Sequence, residues 1–226
     1  MVESPGPPEP IPDRRTAGER LAERLASYRD ENPVVIALPR GGVPVAYEIA
    51  RRLGAPLDVL IVSKVGAPSN PEYGLGAVVE GGTRFLDMPR VRASGYTLKD
   101  LGPTIARASA EVDRRARDLR GAHAPVDVRD RTVVLVDDGV ATGGTILAAL
   151  EALRSRNPRR VVLALGVAPA DTVARLRPAV DDLVVLLTPE VFFAVGEWYR
   201  RFSQVSDEEV RRLLERSRAM PAPQAS

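Results

Sequence analysis

Short, mostly apolar segments that alternate with helical segments constrain the fold of this chain more than any other feature. The apolar segments are VVIAL (34–38), LDVLIVS (57–63), TVVLVD (132–137), RVVLALGV (160–167) and DLVVLL (182–187). Strands without polar alternation are covered on both faces, which is typical of parallel sheets. Helical periodicity predicts the covering helices at 14–30, 43–53, 97–120, 144–156, 170–177 and 207–219. The sequence therefore predicts an α/β fold with a mostly parallel central sheet and helices on both faces.

The two ends of the chain differ in composition from the part between them. Residues 1–12 hold five prolines and one glycine, which predicts a disordered tail or an arm that lies on the surface. Residues 13–219 are predicted to form a single domain, and residues 220–226 a second tail. Within the domain, glycine and proline are frequent beside the strand-like pieces GAVVE and TRFLD. About residues 64–82 are therefore expected to form a flexible loop that returns as a hairpin.

Composition excludes several classes of site. The chain has no cysteine and one histidine, so thiolate chemistry, disulfides and histidine metal clusters are excluded, and His123 is interpreted as a solvated loop residue. Basic and acidic residues number 32 and 30, they are mixed along the chain, and only 4% of residues are aromatic, which disfavours a nucleic-acid surface. Arg114, Arg115 and Arg117 of EVDRRARDLR (111–120) are interpreted as part of a solvated helix face. No signal peptide or membrane-spanning run is visible, so we expect a cytoplasmic protein.

The segment DDGVATGGT, residues 137–145, has the composition of an anion-binding loop. Its three glycines allow the backbone to turn tightly and to approach a ligand, and its two threonines provide hydroxyl donors. The helix that follows offers free N–H groups and the positive end of its dipole. The loop lacks the lysine of a Walker A motif and the spacing of a dinucleotide-binding turn. It is therefore expected to bind a phosphate monoester.

Two adjacent carboxylates, Asp137 and Asp138, precede this anion-binding loop. Carboxylates that touched the phosphate directly would repel it, so they are expected to face another part of the same ligand. Vicinal hydroxyls, or a divalent cation shared with them, would suit carboxylate oxygens. A ligand with a phosphate at one end and a diol nearby is a sugar phosphate, and a ribose 5-phosphate unit has this layout.

A second candidate anion site follows the first predicted strand, in ALPRGGVPVA (37–46). Arg40 offers bidentate donors, and Gly41 and Gly42 offer backbone amides at the start of a helix. A tight strand–helix turn without a ligand is the other interpretation of these glycines. Lys64 follows the second predicted strand, and ligands of parallel sheets bind at the carboxyl ends of strands.

These motifs resemble those of the type I phosphoribosyltransferases, in particular a bacterial group whose acceptor is unassigned. The resemblance covers roughly residues 14–210 and is most specific at 134–145, where the family binds 5-phosphoribosyl 1-diphosphate (PRPP). It implies that Asp137 and Asp138 hold the ribose hydroxyls, and that the 5-phosphate is bound by Gly139, Val140, Ala141, Thr142, Gly143, Gly144 and Thr145. It further implies that pyrophosphate is bound by Arg40, Gly41, Gly42 and Lys64, with Mg²⁺ carried by PRPP and held indirectly by Asp137 and Asp138.

The acceptor side of the resemblance departs from the purine enzymes in two places. Ala141 stands where the hypoxanthine–guanine enzymes have an aspartate general base, and no lysine follows the strand at 160–167. Proton transfer is therefore assigned to the 63–82 segment, with Glu72 or Glu80 as the base beside Lys64. The other interpretation of Glu72 is an ordinary solvated loop carboxylate.

The hood, defined here as residues 189–210, is expected to cover the acceptor in members of this family. Phe193 or Trp198 could stack on a planar base there, or these aromatic side chains could pack the hood onto the sheet. Gly196 replaces an acid that contributes to a metal site in the hypoxanthine–guanine enzymes, which puts a second metal site in doubt.

The resemblance predicts transfer of a 5-phosphoribosyl group from PRPP to an acceptor nitrogen, with a purine-like base favoured and pyrophosphate released. The alternative is a regulatory protein that binds PRPP with little or no turnover. A phosphosugar or nucleotide hydrolase lacks the dense metal-ligand set that such enzymes need. The expected partners are PRPP and a small acceptor, with no nucleic acid and no membrane, and a homodimer is common in the family.

Overall fold

A five-stranded parallel sheet forms the centre of the computed structural model, which describes residues 9–220. The strand order is β2-β1-β6-β7-β8, and each neighbouring pair is parallel. The sheet strands are β1 (Pro33–Ala37), β2 (Leu57–Val59), β6 (Thr132–Asp137), β7 (Arg160–Val167) and β8 (Asp182–Leu187). A smaller antiparallel sheet contains β3 (Val62–Ala67), β4 (Asn70–Val79) and β5 (Arg84–Leu86). The predicted mostly parallel α/β fold is confirmed.

Helices cover both faces of the central sheet. The helices of the domain are α1 (Arg14–Arg24), α2 (Gly42–Leu53), α3 (Met88–Ala93), α4 (Leu98–Arg120), α5 (Gly144–Arg154), α6 (Ala170–Leu176) and α7 (Asp207–Arg218), of which α3 and α4 pack against the antiparallel sheet. Short 3-10 helices occupy Ala26–Glu31, Arg177–Ala179 and Val195–Trp198. The first of them replaces the end of the helix predicted at 14–30.

Alternate residues of each central strand enter two separate hydrophobic cores. Val134 and Val136 of β6 pack in the core that contains α1, α2 and α7. Val133 and Leu135 pack in the second core, which contains α5. Because successive side chains of a strand point to opposite faces, an apolar run with no polar alternation must be covered on both sides.

The segment 57–63, predicted as one strand, divides between the two sheets. Residues Leu57–Val59 pair with β1, and the Leu60 N–H donates to the Ala37 carbonyl oxygen as the chain leaves the central sheet. Val62 then pairs with Val79 in the antiparallel sheet. The apolar sequence continues across the boundary because both sheets are buried at this point, so hydrophobicity alone gives no sign of the division.

The segment 64–82, predicted as a flexible loop that returns as a hairpin, is mostly an antiparallel hairpin. Strands β3 and β4 pair from Val62–Val79 to Ala67–Asn70, with register irregularities around Gly66. Gly66 is required there because a Cβ would lie 2.7 Å from the Pro71 Cα atom. The glycines of this segment therefore permit close approach of two strands, and the hairpin expected from the sequence occupies most of it.

A buried arginine joins the hairpin to the central sheet. Arg120, at the end of α4, is 5% exposed and its Nε donates to Asp58 Oδ1 at 2.9 Å. Its Nη2 donates to the Val59 carbonyl oxygen at 2.7 Å and to Glu80 Oε2 at 3.0 Å. This cluster connects β2, the end of β4 and α4, so it fixes where the hairpin leaves the sheet.

The N-terminal segment joins the hood instead of forming a tail from residue 9 onward. Ile11 is fully buried, its N–H donates to the Trp198 carbonyl oxygen, and it bridges to Tyr199. A disordered tail is therefore wrong for residues 9–12, which form an arm against the hood because Ile11 supplies an apolar anchor among the prolines. Residues 1–8 and 221–226 lie outside the described residues.

The helices within residues 9–220 include none with the length and apolarity that crossing a membrane would need.

Candidate active site

The loop between β6 and α5 forms an open cradle of backbone N–H groups. Gly143 precedes α5 with a left-handed φ of 70°, and within residues 9–220 no side chain caps the helix. A Cβ on Gly144 would meet nothing within 4 Å, so the first turn of α5 faces open space. Thr142 and Thr145 are exposed beside it. Unpaired N–H groups and the helix dipole make this cradle suited to an anion.

The cradle is held in place by contacts with β7 and α6. The Val140 N–H donates to the Val167 carbonyl oxygen at 2.9 Å, and Thr172 Oγ1 donates to the Ala141 carbonyl oxygen at 2.7 Å. Gly139 fits because a Cβ there would lie 2.7 Å from Val167 Cγ1. The backbone is thus fixed from behind, and the Ala141 side chain is exposed at the surface of the loop.

Asp137 and Asp138 lie between this cradle and the loop that follows β1. Asp137 is half-buried, and its Oδ1 accepts the Asp138 N–H at 2.9 Å. Asp138 is 7% exposed, and a Cβ on Gly41 would overlap its carboxylate. Removal from water, followed by the charge of the Asp138 carboxylate, raises the pKa of Asp137 well above its usual range.

Arg14 is a site residue that the sequence analysis missed. Its Nε donates to Asp138 Oδ2 at 2.7 Å, its Nη1 donates to the Ser203 carbonyl oxygen, and its guanidinium lies 3.8 Å from the centre of the Phe202 ring. Tyr199 also donates its hydroxyl to the Asp138 carbonyl oxygen at 2.6 Å. Arg14 and Asp138 are 124 residues apart, and no local motif marks the pair.

The loop after β1 approaches the carboxylates closely. A Cβ on Gly42 would lie 2.7 Å from the Val136 carbonyl oxygen and 3.1 Å from Asp137 Cα, so this position tolerates only glycine without displacement. The peptide bond between Pro39 and Arg40 is cis. Arg40 is partly exposed, with its Nη1 3.9 Å from Asp207 Oδ1. The two loops predicted to bind the two ends of one ligand are therefore adjacent in the structure.

Lys64 and Glu72 contact each other on the hairpin. Lys64 Nζ donates to the Glu72 carbonyl oxygen at 2.5 Å and lies 3.7 Å from Glu72 Oε2. Glu72 is almost fully exposed, at 95% of its side chain. Among the described residues, neither forms a hydrogen bond or ion pair with the loops at 38–42 or 137–145. Lys64 lies within β3, so its predicted position at the carboxyl end of a parallel strand is wrong.

Glu80 lies away from the cradle. Its carboxylate is bound by Arg120, and its carbonyl oxygen accepts Arg156 Nη2 at 2.9 Å. Arg156 follows the C-terminal end of α5, whereas the cradle is at the N-terminal end, and a helix of this length spans about 15 Å. The interpretation of Glu80 as a base for the acceptor is therefore not supported by its position.

The aromatic residues of the hood differ in exposure. Phe193 is 81% exposed, whereas Trp198 is partly buried against the core and, within the described part of the chain, its Nε1 has no hydrogen-bond partner. Trp198 thus packs the hood onto the sheet, which was the second interpretation of the sequence, and Phe193 is available for stacking. Gly196 approaches Phe202, since a Cβ would lie 2.9 Å from its ring. An acidic side chain would not fit there without movement.

Two cavities lie at opposite ends of the central sheet. One, of about 640 Å³, is lined by His123 and by the residues between α2 and β2, at the amino ends of the strands. The other, of about 480 Å³, is lined by Arg40 and lies beside the loop after β1. In parallel sheets the carboxyl ends of strands carry the ligand, so the smaller cavity belongs with the site.

Replacing Asp137 with asparagine is expected to stabilise the unliganded protein at about pH 8 more than at about pH 4. Because the folded state raises the pKa of Asp137 above its ordinary value of 3.8, it binds the proton more tightly than the unfolded state. Stability therefore falls as pH rises above 3.8, and asparagine escapes this loss. Thermal unfolding at both pH values measures the difference. An equal gain at both, or a larger gain at the lower pH, would contradict the assignment.

Comparison with known proteins agrees with this geometry. The family model for the phosphoribosyl transferase domain matches residues 11–199. A Mycobacterium tuberculosis protein, provisionally named as a phosphoribosyl transferase, is 44% identical over 205 residues, covering 91% of this chain and 46% of that protein. The chain therefore spans about half the length of this curated relative.

A solved structure and a second curated relative add to the comparison. The crystal structure of TT1426 from Thermus thermophilus is 47% identical and superimposes with a TM-score of 0.79, covering 91% of this chain and 97% of that one. The bifunctional protein PyrR of Chloroflexus aurantiacus is 31% identical over 129 residues, which is 56% of this chain and 65% of that protein. Residues 11–199, which the family model matches, contain the central sheet, both loops and the carboxylate pair. The chain therefore belongs to the phosphoribosyl transferase domain family.

Proposed function

We propose that this protein transfers a 5-phosphoribosyl group from PRPP to a nitrogen of a purine-like acceptor and releases pyrophosphate. The observation that carries the proposal is the position of Asp137 and Asp138 between an anion cradle and the loop that contains Arg40. This order of groups matches the order of 5-phosphate, ribose diol and pyrophosphate along PRPP. Family membership supports the donor, and the acceptor rests on the site alone.

In the proposed reaction, the bond between ribose C1 and the pyrophosphate oxygen breaks, and its electron pair leaves with pyrophosphate. Arg40 and the amides of Gly41 and Gly42 offset the charge that develops on the leaving group. Asp137 and Asp138 hold the ribose hydroxyls and stabilise positive charge on the sugar ring. The acceptor nitrogen then bonds to C1 and loses its proton to a base.

Mg²⁺ is the proposed cofactor, since it would neutralise charge on the phosphates of the bound donor. The donor set fits this ion in kind, because Mg²⁺ prefers oxygen ligands and is usually held by one or two carboxylates together with substrate phosphates. Asp137 and Asp138 supply such carboxylates. Residues 9–220 contain no group of three or more His, Asp or Glu side chains that could hold a metal alone, so PRPP is expected to provide most of the ligands.

The acceptor is proposed to lie between the cradle and the hood. Phe193 is exposed and could stack on a planar base. Glu72 is the proposed proton acceptor, since its carboxylate is exposed and Ala141 provides none from the cradle. This assignment requires the hairpin to close over the donor, as lids of many enzymes do.

A protein that binds PRPP without turnover is the second candidate function. The observation in its favour is Ala141, which is exposed and offers no proton acceptor at the position where the resemblance places the base of the hypoxanthine–guanine enzymes. Binding of PRPP without release of pyrophosphate would favour this function.

Incubating the protein with PRPP, Mg²⁺ and a panel of purines, pyrimidines and simple amines tests the two functions. We expect release of pyrophosphate that depends on both PRPP and one class of acceptor, with purines giving the highest rate. A Glu72→Gln variant should retain PRPP affinity and lose about 10²- to 10⁴-fold in rate if Glu72 is the base. A rate of pyrophosphate release that does not depend on the presence of an acceptor would contradict transfer to an acceptor.

A further inference from the structure

The cavity beside the loop after β1 is lined by charged side chains from three separate elements. Pro39 and Arg40 come from the loop, Glu111, Arg114 and Arg115 come from the middle of α4, and Asp207 begins α7. Its volume of about 480 Å³ lies in the range of small-molecule sites. The sequence analysis interpreted the α4 arginines as one solvated face, and the structure gives each of them a different environment.

Arg114 is compensated by carboxylates of its own helix. Its Nη2 donates to Glu111 Oε1 at 2.7 Å, its Nε donates to Glu111 Oε2 at 3.0 Å, and its Nη1 donates to Asp118 Oδ2 at 2.6 Å. These bonds also engage both oxygens of Glu111. Glu111 and Arg114 therefore contribute a neutral pair to the wall of the cavity.

Arg115 has no such partner. It is half-buried, lines the cavity and forms no ion pair or side-chain hydrogen bond with any residue in the range 9–220. Arg40 is held only loosely, because Asp207 Oδ1 is 3.9 Å from its Nη1, which is too long for a hydrogen bond. That same Asp207 oxygen is buried and lacks a hydrogen-bond partner among the described residues. Two guanidinium groups thus face one cavity with incomplete compensation.

We propose that Arg115 binds the diphosphate of the donor together with Arg40, so that the leaving group lies between the loop after β1 and α4. This inference rests on the proposed function and extends its pyrophosphate site to a helix that the sequence motifs do not include. The carboxylate near Arg115 is Glu111, and both of its oxygens are already hydrogen-bonded to Arg114. A half-buried guanidinium that forms no hydrogen bond of its own gains from pairing with a further anion. A diphosphate presents several oxygens to bidentate donors on two sides.

Asp207 has a related part in this site. Its carboxylate attracts the Arg40 guanidinium toward α7 but forms no hydrogen bond with it. Arg40 can therefore reorient toward a diphosphate without breaking a hydrogen bond to Asp207. The net charge of the cavity walls is positive, with three arginines against two acids, which favours a polyanion over a neutral acceptor.

Arg117 provides a matched control for Arg115. It stands on the same helix, is exposed, does not line the cavity, and has no ion pair within the described range. Arg115→Gln and Arg117→Gln each remove one positive charge and keep a good helix former. Thermal unfolding of both variants confirms that each is folded before binding is compared.

The experiment is calorimetric titration of the full chain with Mg²⁺-pyrophosphate, with PRPP and with ribose 5-phosphate. Arg115→Gln is expected to lower affinity for pyrophosphate and for PRPP by about 10- to 100-fold, the loss typical of a hydrogen bond to a charged group. Affinity for ribose 5-phosphate should remain unchanged, and Arg117→Gln should leave all three affinities unchanged.

Three outcomes would overturn the inference. Equal pyrophosphate affinity of the two variants would show that Arg115 does not contact the diphosphate. A matching loss for ribose 5-phosphate would show that Arg115 acts through the fold of the site. Both leave the proposed function intact if the wild-type protein binds PRPP. A wild-type protein without PRPP affinity would instead remove the proposed function and this inference with it.

Discussion

A variant with Asp137→Asn and Asp138→Asn is expected to bind PRPP at least about 100-fold more weakly than the wild-type protein. Asparagine preserves the shape of both side chains and still accepts the hydrogen bonds from Arg14 and from the Asp138 N–H. The substitutions remove the negative charge of the two carboxylates, which is proposed to bind the ribose hydroxyls and the magnesium-bound donor. Calorimetry with Mg²⁺ and PRPP measures the effect.

Asp113→Asn is the control for this double variant, because Asp113 is an exposed aspartate in the middle of α4. It should retain wild-type affinity. Because Asp138→Asn leaves the largely buried Arg14 without its countercharge, circular dichroism verifies that the double variant is folded. The single Asp137→Asn variant, which is expected to stabilise the fold, is titrated beside it. Undiminished affinity in the double variant would remove the carboxylate pair from the donor site.

The second large effect is expected at the buried arginine that joins α4 to the sheet. Arg120→Leu should lower the free energy of unfolding by about 3–5 kcal/mol, because it leaves the buried Asp58 and the partly buried Glu80 without their countercharge. Removing one partner of a buried ion cluster costs more than the cluster contributes, since the remaining charges have been taken out of water. Urea unfolding measures the loss.

Arg114→Leu serves as the comparison on the same helix. Arg114 also binds two carboxylates, but its side chain is 57% exposed, and exposed ion pairs contribute about 0–1 kcal/mol. A loss at Arg120 that is no larger than the loss at Arg114 would contradict the assigned role of the buried cluster. Because Arg114 and Arg120 each contact two carboxylates, a difference between the two variants measures the effect of burial on stability and not the effect of the number of ion pairs.

Elements whose identity is set by local sequence could be predicted. The bounds of β6, β7 and β8 in the structure, at 132–137, 160–167 and 182–187, agree with the apolar runs. Strands β6 and β7 are buried almost throughout and β8, at the edge of the sheet, is partly buried, so an apolar composition agrees with the environment of all three. The cradle at 137–145 could also be predicted, because glycine sets its local backbone conformation and the threonine and aspartate side chains follow one another within the same short segment.

Elements set by distant contacts could not be predicted from local sequence. Arg14 reaches Asp138 across 124 positions in the chain, and its sequence neighbourhood resembles an ordinary helix start. Ile11 is buried although prolines surround it, because its backbone forms hydrogen bonds with Trp198 and Arg200 of the hood. The strands β2 and β3 divide inside one apolar run because two different sheets cover it.

The candidate site shows the same division between local and distant information. The sequence predicted that the carboxylates and both loops belong to one site. It left two interpretations of Trp198 open, stacking on the acceptor or packing of the hood, and the burial of Trp198 favours packing. It also treated the α4 arginines as equivalent, whereas the structure pairs Arg114 and turns Arg115 toward the cavity. Charge alone carries no information about which side of a helix packs against the site.

The crystal structure of the wild-type protein with PRPP and Mg²⁺ tests the central claim most directly. The account predicts that the 5-phosphate accepts hydrogen bonds from the amides of 140–145, that the ribose hydroxyls contact Asp137 and Asp138, and that pyrophosphate lies against Arg40. A 5-phosphate bound away from the first turn of α5, or a ribose out of reach of both carboxylates, would contradict it.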